Sequence, residues 1–324
     1  MDRLDLLPCT WRGLGATLVR GPALEAVITT IGAQLACLRA PGERLNPLWQ
    51  PPWPSCLPDA AGPAHGGPAD RPLHAVICGS NLCLDRFGPA WPGEDRPLHG
   101  EAGVSRWRMQ RDGDAATWRT WLPLARLHAE RRIAIAGTTL TLTTRAWHDG
   151  SDPRPVEWCE HTTLGPPFLD GARFAAGIDA AWTAPWAPDP GWRFPGTRLA
   201  EVDPSAALAM PGPQAPPCGD VLSARVAQGW WTAEHPLLGR RLRVAFAPEA
   251  FPFLALWTQH RSRTAAPWNG IGRARGMELT TKPFPEGCPP PERAERFAGR
   301  PTRCLIPPGA HGLAKTVRFT WERC

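Results

Sequence analysis

Forty prolines and thirty-two glycines interrupt this chain of 324 residues, and they limit its fold more than any other feature. Proline lacks the amide hydrogen that a helix interior needs, and glycine weakens a helix through its backbone freedom. No helical pattern here runs beyond about two turns before such a residue intervenes. What survives between the breaks is period-two alternation. From 104 to 147 the alternation is sustained, with Val104, Arg106 and Arg108 opposite Ser105, Trp107 and Met109, and with Ile133 and Ile135 before Gly137. That pattern predicts an antiparallel meander. Ala16 to Val19, Leu24 to Thr30 and Gly32 to Leu35, punctuated by Gly21-Pro22 and Pro41-Gly42, predict an early hairpin. Strand patterns return at 221–226, 241–247, 253–259, 276–280 and 313–321. Residues 45–72 and 170–220 are rich in Pro, Gly and Trp, show no period, and read as loop insertions. The expectation is an all-β chain with few short helices. It forms one large antiparallel sandwich domain spanning 1–324.

Charged residues make up 20% and hydrophobic ones 43%, which excludes a disordered chain. The net charge of +6 comes almost wholly from arginine, the only lysines being Lys282 and Lys315. Arg131-Arg132 and Arg240-Arg241 lie inside strand-like segments, and no basic run is interleaved with aromatics. The charge therefore reads as a solvated surface, with no nucleic-acid partner. No apolar run reaches membrane-spanning length, so no membrane partner is expected. Ten cysteines include no C-x-x-C pair. Met1-Asp2-Arg3-Leu4-Asp5 lacks the basic start and apolar run of a secretion signal. These features read as a reduced, cytoplasmic protein whose cysteines are small buried residues. Nine scattered histidines without H-E-x-x-H give no metal-site pattern. The oligomeric state is not legible in the sequence.

Two short stretches hold groups suited to acid–base chemistry. Trp158-Cys159-Glu160-His161-Thr162-Thr163-Leu164-Gly165-Pro166-Pro167-Phe168 sets a histidine before a rigid turn. Gly276-Met277-Glu278-Leu279 sets a carboxylate between apolar neighbours in a strand-like run. A histidine and a glutamate can exchange protons with a bound substrate. Either residue alone is more often structural, as a packed histidine or a solvent-facing glutamate. Asp85-Arg86-Phe87 and Leu98-His99-Gly100 add polar groups in glycine-rich loops. Trp49 and Trp53 either rim a cleft or pack against the sheet. Arg273 and Arg275 read as residues of an exposed strand edge.

Taken together and in order, these motifs resemble the aldose 1-epimerase, or galactose mutarotase-like, family over roughly residues 15–322. Asp85-Arg86-Phe87 stands at its arginine motif, Leu98-His99-Gly100 at its first histidine motif, Glu160-His161 at its second, and Gly276-Met277-Glu278 at its glutamate motif. Gln259, in Leu256-Trp257-Thr258-Gln259-His260, stands near a polar position on a preceding strand. The chain departs from the family in Asp85 and Glu160, where the family has asparagines. It also lacks a recognisable sugar-binding aspartate, for which Asp220 and Glu234 are poor matches.

The resemblance implies a β-supersandwich acting on a small sugar without a cofactor or a metal. It implies Glu278 as base and His161 as acid in opening a hexose ring. Arg86, His99, Gln259 and Asp85 would hold the substrate. Such a pair calls for an ionised glutamate beside a protonated histidine near neutral pH. Seventeen tryptophans suit a sugar site, although most belong to the core. A non-catalytic carbohydrate-binding sandwich would leave His161 and Glu278 apart. A glycoside hydrolase would need a second carboxylate, Asp85 or Glu101, about 5–10 Å from Glu278. An epimerase for a phosphorylated hexose would present Arg86, Arg273 or Arg275 to the phosphate.

Overall fold

In the computed structural model, the described residues are 4–91, 93–186, 191–194, 198–285 and 296–324. Strands dominate them. The first four, β1 (Asp5–Trp11), β2 (Leu14–Arg20), β3 (Glu25–Thr29) and β4 (Leu35–Arg39), make an antiparallel meander. β5 (Ser80–Leu84) joins β4 at Leu35 and Ser80. A second meander follows in β6 (Arg108–Asp112), β7 (Ala115–Leu122), β8 (Leu127–Ala136) and β9 (Thr139–Trp147). The meander predicted between 104 and 147 is present from Arg108 onward, with alternating burial in β8 and β9. Earlier, Val104 and Ser105 sit in a turn and Arg106 makes an isolated bridge to Ile31.

Next come β10 (Arg154–Val156), β11 (Trp158–Leu164), β12 (Arg173–Thr183), β13 (Glu201–Val202), β14 (Cys218–His235), β15 (Arg240–Phe246), β16 (Phe253–His260) and β17 (Arg273–Thr280). The short β18 (Arg296–Phe297), β19 (Arg300–Pro301) and β20 (Cys304–Ile306) precede the long β21 (Leu313–Arg323). Residues 170–220 are therefore not free of regular structure. They hold β12, β13, the helix Pro204–Leu208 and the start of β14. The alanine-rich β12 has weak strand preference of its own, and pairing along most of β14 holds it extended.

β14 joins the two arms of the sheet. Its first half, Cys218 to Arg225, pairs with β16 and leads through β17 and β11 to β5. Its second half, Trp230 to His235, pairs with β15 and leads through β21 to β9 and β8. One core unites side chains of both arms, Leu82, Trp158, Leu164 and Met277 from the first and Trp118, Ile133, Leu142 and Trp321 from the second. This is the sandwich that the sequence predicts.

The strands that matter most for function break the alternation. All seven residues of β11 are buried, as are the last seven of β17. Both strands lie inside the sheet with both faces covered, so polar residues on them are held away from water. The nine described cysteines are unpaired, five of them buried, while Cys288 lies outside the described residues. Among the described residues no helix is long and apolar enough to cross a membrane.

Candidate active site

His161 and Glu278 are directly opposed across β11 and β17. Their side chains meet, with His161 Nε2 3.2 Å from Glu278 Oε1. Both are nearly inaccessible, at 5% and 3% exposure. Gly276 makes this possible. It lies two residues before Glu278 on the same face, and a Cβ there would fall on Glu278 Oε1. The glycine of Gly276-Met277-Glu278 is thus a steric requirement of the carboxylate's position. Gly165 does the same for the aromatic wall, since its Cβ would strike Trp49, whose amide donates to the Thr163 carbonyl at 2.8 Å.

The pair opens onto a cavity of about 420 Å³. Trp49, Trp186, Trp192, Trp257 and Trp268 line it together with Phe87 and His99, and Asp70, His74 and Arg263 supply further polar groups. Trp49 stacks on Trp268 at 5.5 Å and 15°, while Trp257 meets Trp268 edge-on at 5.5 Å. Trp53 packs behind them, edge-on to both Trp49 and Trp268. Aromatic faces of this kind cover the C–H face of a pyranose.

His99 lies at positive φ in its loop, stacked on Phe87, with its ring 5.1 Å from that of His161. The Gly88 amide donates to His99 Nδ1 at 3.0 Å. Nδ1 is therefore the acceptor, and the neutral ring bears its hydrogen on Nε2. Burial pushes the His99 imidazole well below the usual histidine range, helped by the positive field of nearby basic groups.

Electrostatics around the central pair run against the sequence expectation. Burial pushes the Glu278 carboxyl up to about 8, although Arg275 and Arg263 favour its charged form. Burial pushes His161 down to about 4. Desolvation disfavours whichever form is charged, so it moves the two groups in opposite directions. Between these values the pair holds one proton, and it rests on Glu278. An ionised glutamate beside a protonated histidine is the other arrangement of that proton, one transfer away across the 3.2 Å contact.

Arg86 does not line the cavity. It is buried in a cluster with Glu157 and Glu94 and lies over the Trp91 ring. Glu157 also pairs with Lys282 at 2.9 Å and accepts the Phe87 amide at 2.7 Å. Arg86 thereby braces the Phe87-Gly88 backbone that in turn holds His99. Asp85 also lies off the cavity, paired with Arg96 and Arg154. Gln259 is buried beside the loop after β16, where it accepts from the Ser262 hydroxyl at 2.6 Å, and it is not among the lining residues. Of the six residues expected at the site, His161, Glu278 and His99 meet there.

One other expectation, that Arg273 and Arg275 lie on an exposed strand edge, is corrected. Arg275 is fully buried on a central strand, donating to Thr258 Oγ1 at 2.6 Å and the Ala207 carbonyl at 2.8 Å. Arg273 is held by Asp170, so neither arginine sits on an exposed edge. Asp85 and Glu101 do not pair with Glu278 across the cavity, and Glu101 instead accepts the Leu124 amide at 2.9 Å. Asp220 is buried against Arg193, and Glu234 pairs with Arg241, so neither faces the cavity. Among the described lining residues the carboxylate other than Glu278 is Asp70, which no motif marked. Trp257 and Arg263 were also missed, although Trp257 sits two residues from Gln259 in a quoted stretch. Among the described residues no cluster of three or more His, Cys, Asp or Glu is placed to hold a metal ion.

No protein-family model matches the chain, and no curated protein is similar to it in sequence. Solved structures are similar in fold. A Klebsiella pneumoniae protein provisionally assigned as an aldose 1-epimerase superposes with a TM-score of 0.67 at 15% identity, covering 97% of this chain and 81% of that one. A Salmonella typhimurium protein provisionally assigned as a mutarotase gives 0.66 at 14%, over 98% and 94% of the two chains. A galactose mutarotase-like protein from Clostridium acetobutylicum gives 0.65 at 13%, over 99% of each. The fold of this chain is the galactose mutarotase-like β-supersandwich.

Proposed function

We propose that the protein is an aldose 1-epimerase-like isomerase that interconverts the α and β anomers of a hexose. The observation behind this reading is the buried His161–Glu278 contact of 3.2 Å on the wall of a tryptophan-lined cavity. A carbohydrate-binding sandwich without chemistry has no need to bring these two residues together.

Anomer exchange needs one base and one acid. The base takes the proton of the anomeric hydroxyl, the C1–O5 bond breaks, and the acid protonates O5. Rotation about the C1–C2 bond and reclosure by the reverse transfers give the other anomer. No electrons leave the sugar and no group is lost, so the reaction needs no cofactor. Glu278 is the base and His161 the acid for opening, and on closing they exchange roles. A pair sharing one proton suits this cycle, because each turnover returns that proton to the pair. Each well-placed transfer is worth about 10²–10⁴-fold in rate. The Nε2–H of His99 faces the same space and suits a sugar oxygen.

A second reading has its own support. The burial that keeps Glu278 protonated also removes the base at rest, which suits a sugar-binding protein without turnover. Polarimetry of freshly dissolved α-glucose and α-galactose separates the two readings. Acceleration by the wild type that is lost in Glu278→Gln supports the isomerase. Sugar binding without acceleration refutes it.

A further inference from the structure

Two polar residues of the cavity take no part in the proton transfers. Asp70 precedes the short helix Arg71–His74, and the His74 amide donates to the Asp70 carbonyl at 3.0 Å. That contact spans one helical turn, so both side chains leave from one face, and both line the cavity. His74 is buried, whereas Asp70 is half-buried. His74 Nδ1 lies 2.9 Å from the His65 carbonyl. A carbonyl only accepts, so Nδ1 carries the hydrogen. Burial holds the imidazole below the usual histidine range, which leaves the ring neutral and Nε2 with its lone pair. A carboxylate likewise accepts and does not donate. Among the described residues no donor reaches His74 Nε2 or the Asp70 carboxylate.

His99 has the opposite polarity, since its Nε2 bears the hydrogen. The Leu98 amide donates to the Ala69 carbonyl at 3.1 Å, which ties the His99 loop to Asp70, and His99 lies within electrostatic reach of both His74 and His161. Along the aromatic wall His74 meets Trp268 at 6.1 Å, Trp268 meets Trp257 at 5.5 Å, and Trp257 meets His161 at 6.2 Å. The two acceptors thus share the space of the reacting pair but stand apart from it. A hydroxyl both donates and accepts, so one N–H and two lone-pair groups around the same space match a ring that carries several hydroxyls. We propose that Asp70 and His74 form a hydroxyl-binding subsite, which accepts hydrogen bonds from the hydroxyls of a hexose and thereby selects the sugar this cavity takes. The inference rests on the reading of the cavity as a sugar site, but not on turnover.

The test titrates glucose, galactose and a series of monodeoxy glucoses into the wild type, Asp70→Asn and His74→Asn, following tryptophan fluorescence, with circular dichroism to check the fold. Asparagine at 74 keeps an N–H for the His65 carbonyl and removes the Nε2 acceptor. Asp70→Asn should weaken glucose binding about tenfold or more, and His74→Asn severalfold. His74→Gln, whose amide oxygen reaches nearer the Nε2 position, should recover part of what His74→Asn loses. Binding within about twofold of wild type in both folded variants overturns the proposal. His74→Asn carries the test if Asp70→Asn fails to fold.

The deoxy series adds a readout that a merely structural role would not move. A site built to pair with a hydroxyl rejects the analogue that lacks it. One monodeoxy glucose should therefore bind the wild type about tenfold or more weakly than glucose does, and that penalty should vanish in Asp70→Asn or in His74→Asn. A penalty that survives unchanged in both variants overturns the subsite. The two proposals fail separately. Mutarotation by the wild type with unchanged sugar binding in Asp70→Asn and His74→Asn refutes only the subsite. Binding that depends on Asp70 and His74 without mutarotation refutes only the isomerase. A wild type that neither binds nor accelerates refutes both.

Discussion

Replacing Glu278 with glutamine should stabilise the protein, and increasingly so as pH rises. The sign follows from where the proton sits. In the unfolded chain a glutamate loses its proton near 4.5, whereas in the folded protein Glu278 keeps it to about 8. Between these values the folded state binds one more proton than the unfolded state. Stability from this group is therefore fully present below about 4.5 and falls as pH rises toward 8. Each pH unit in that window costs about 1.4 kcal/mol. The deficit reaches about 3 kcal/mol at pH 7 and about 4 kcal/mol at pH 8, and levels off near ~5 kcal/mol above that. Glutamine is neutral throughout and similar in size, and its amide can still donate to His161 Nε2. Urea unfolding of both proteins at pH 4.5, 6, 7 and 8 measures the effect. The variant should match wild type at pH 4.5 and exceed it by several kcal/mol at pH 8. A difference that stays flat across the series would show that burial does not hold Glu278 protonated, and the shared-proton argument would fall with it.

Three further outcomes follow. The rate of mutarotation should be bell-shaped in pH, flat between about 4 and 8 and falling outside, because a second proton removes the base and loss of the first removes the acid; a rate that rises through pH 8 would instead mean an isolated glutamate base. Gly276→Ala should cut turnover by at least tenfold, since its methyl displaces Glu278 Oε1; polarimetry beside a circular dichroism spectrum checks this. Glu160→Gln should destabilise the protein by about 3–5 kcal/mol at neutral pH, leaving the Arg131 charge buried and unpaired, a loss visible in urea unfolding.

The fold was legible because proline and glycine leave only strands, and alternation marks β8, β9 and β21 directly. β12 was not, because its run of alanines has little preference of its own and takes its shape from β14. At the site, His161, His99 and Glu278 were readable from short motifs whose glycines now have steric reasons. Arg86 was misplaced because what decides its direction is distant in sequence. Glu157 lies 71 residues away along the chain yet adjacent in space. Arg275 was misread because period two assigns faces, not depth. A central strand buries both of its faces, and only the pairing of β17 with both β11 and β16 reveals that.

Depth is also what separates two glutamates that look alike. Glu160 precedes His161 on β11 and is as buried as Glu278. Its side chain turns to the core face, where Arg131 Nη2 and Thr144 Oγ1 each donate to it at 2.7 Å. A carboxylate so supplied is stabilised as a charge, and removing it strands its arginine. Glu278 turns to the cavity face, where its close partner is a histidine that burial keeps neutral. The charges of Arg275 and Arg263 offset only part of the cost of burying a full negative charge, so the proton stays and remains available for transfer. In the proposed reading, the same residue type at the same depth on neighbouring strands is structural in one case and the acid–base group in the other. Glutamine should therefore act in opposite directions at the two positions, weakening the fold at 160 and strengthening it at 278.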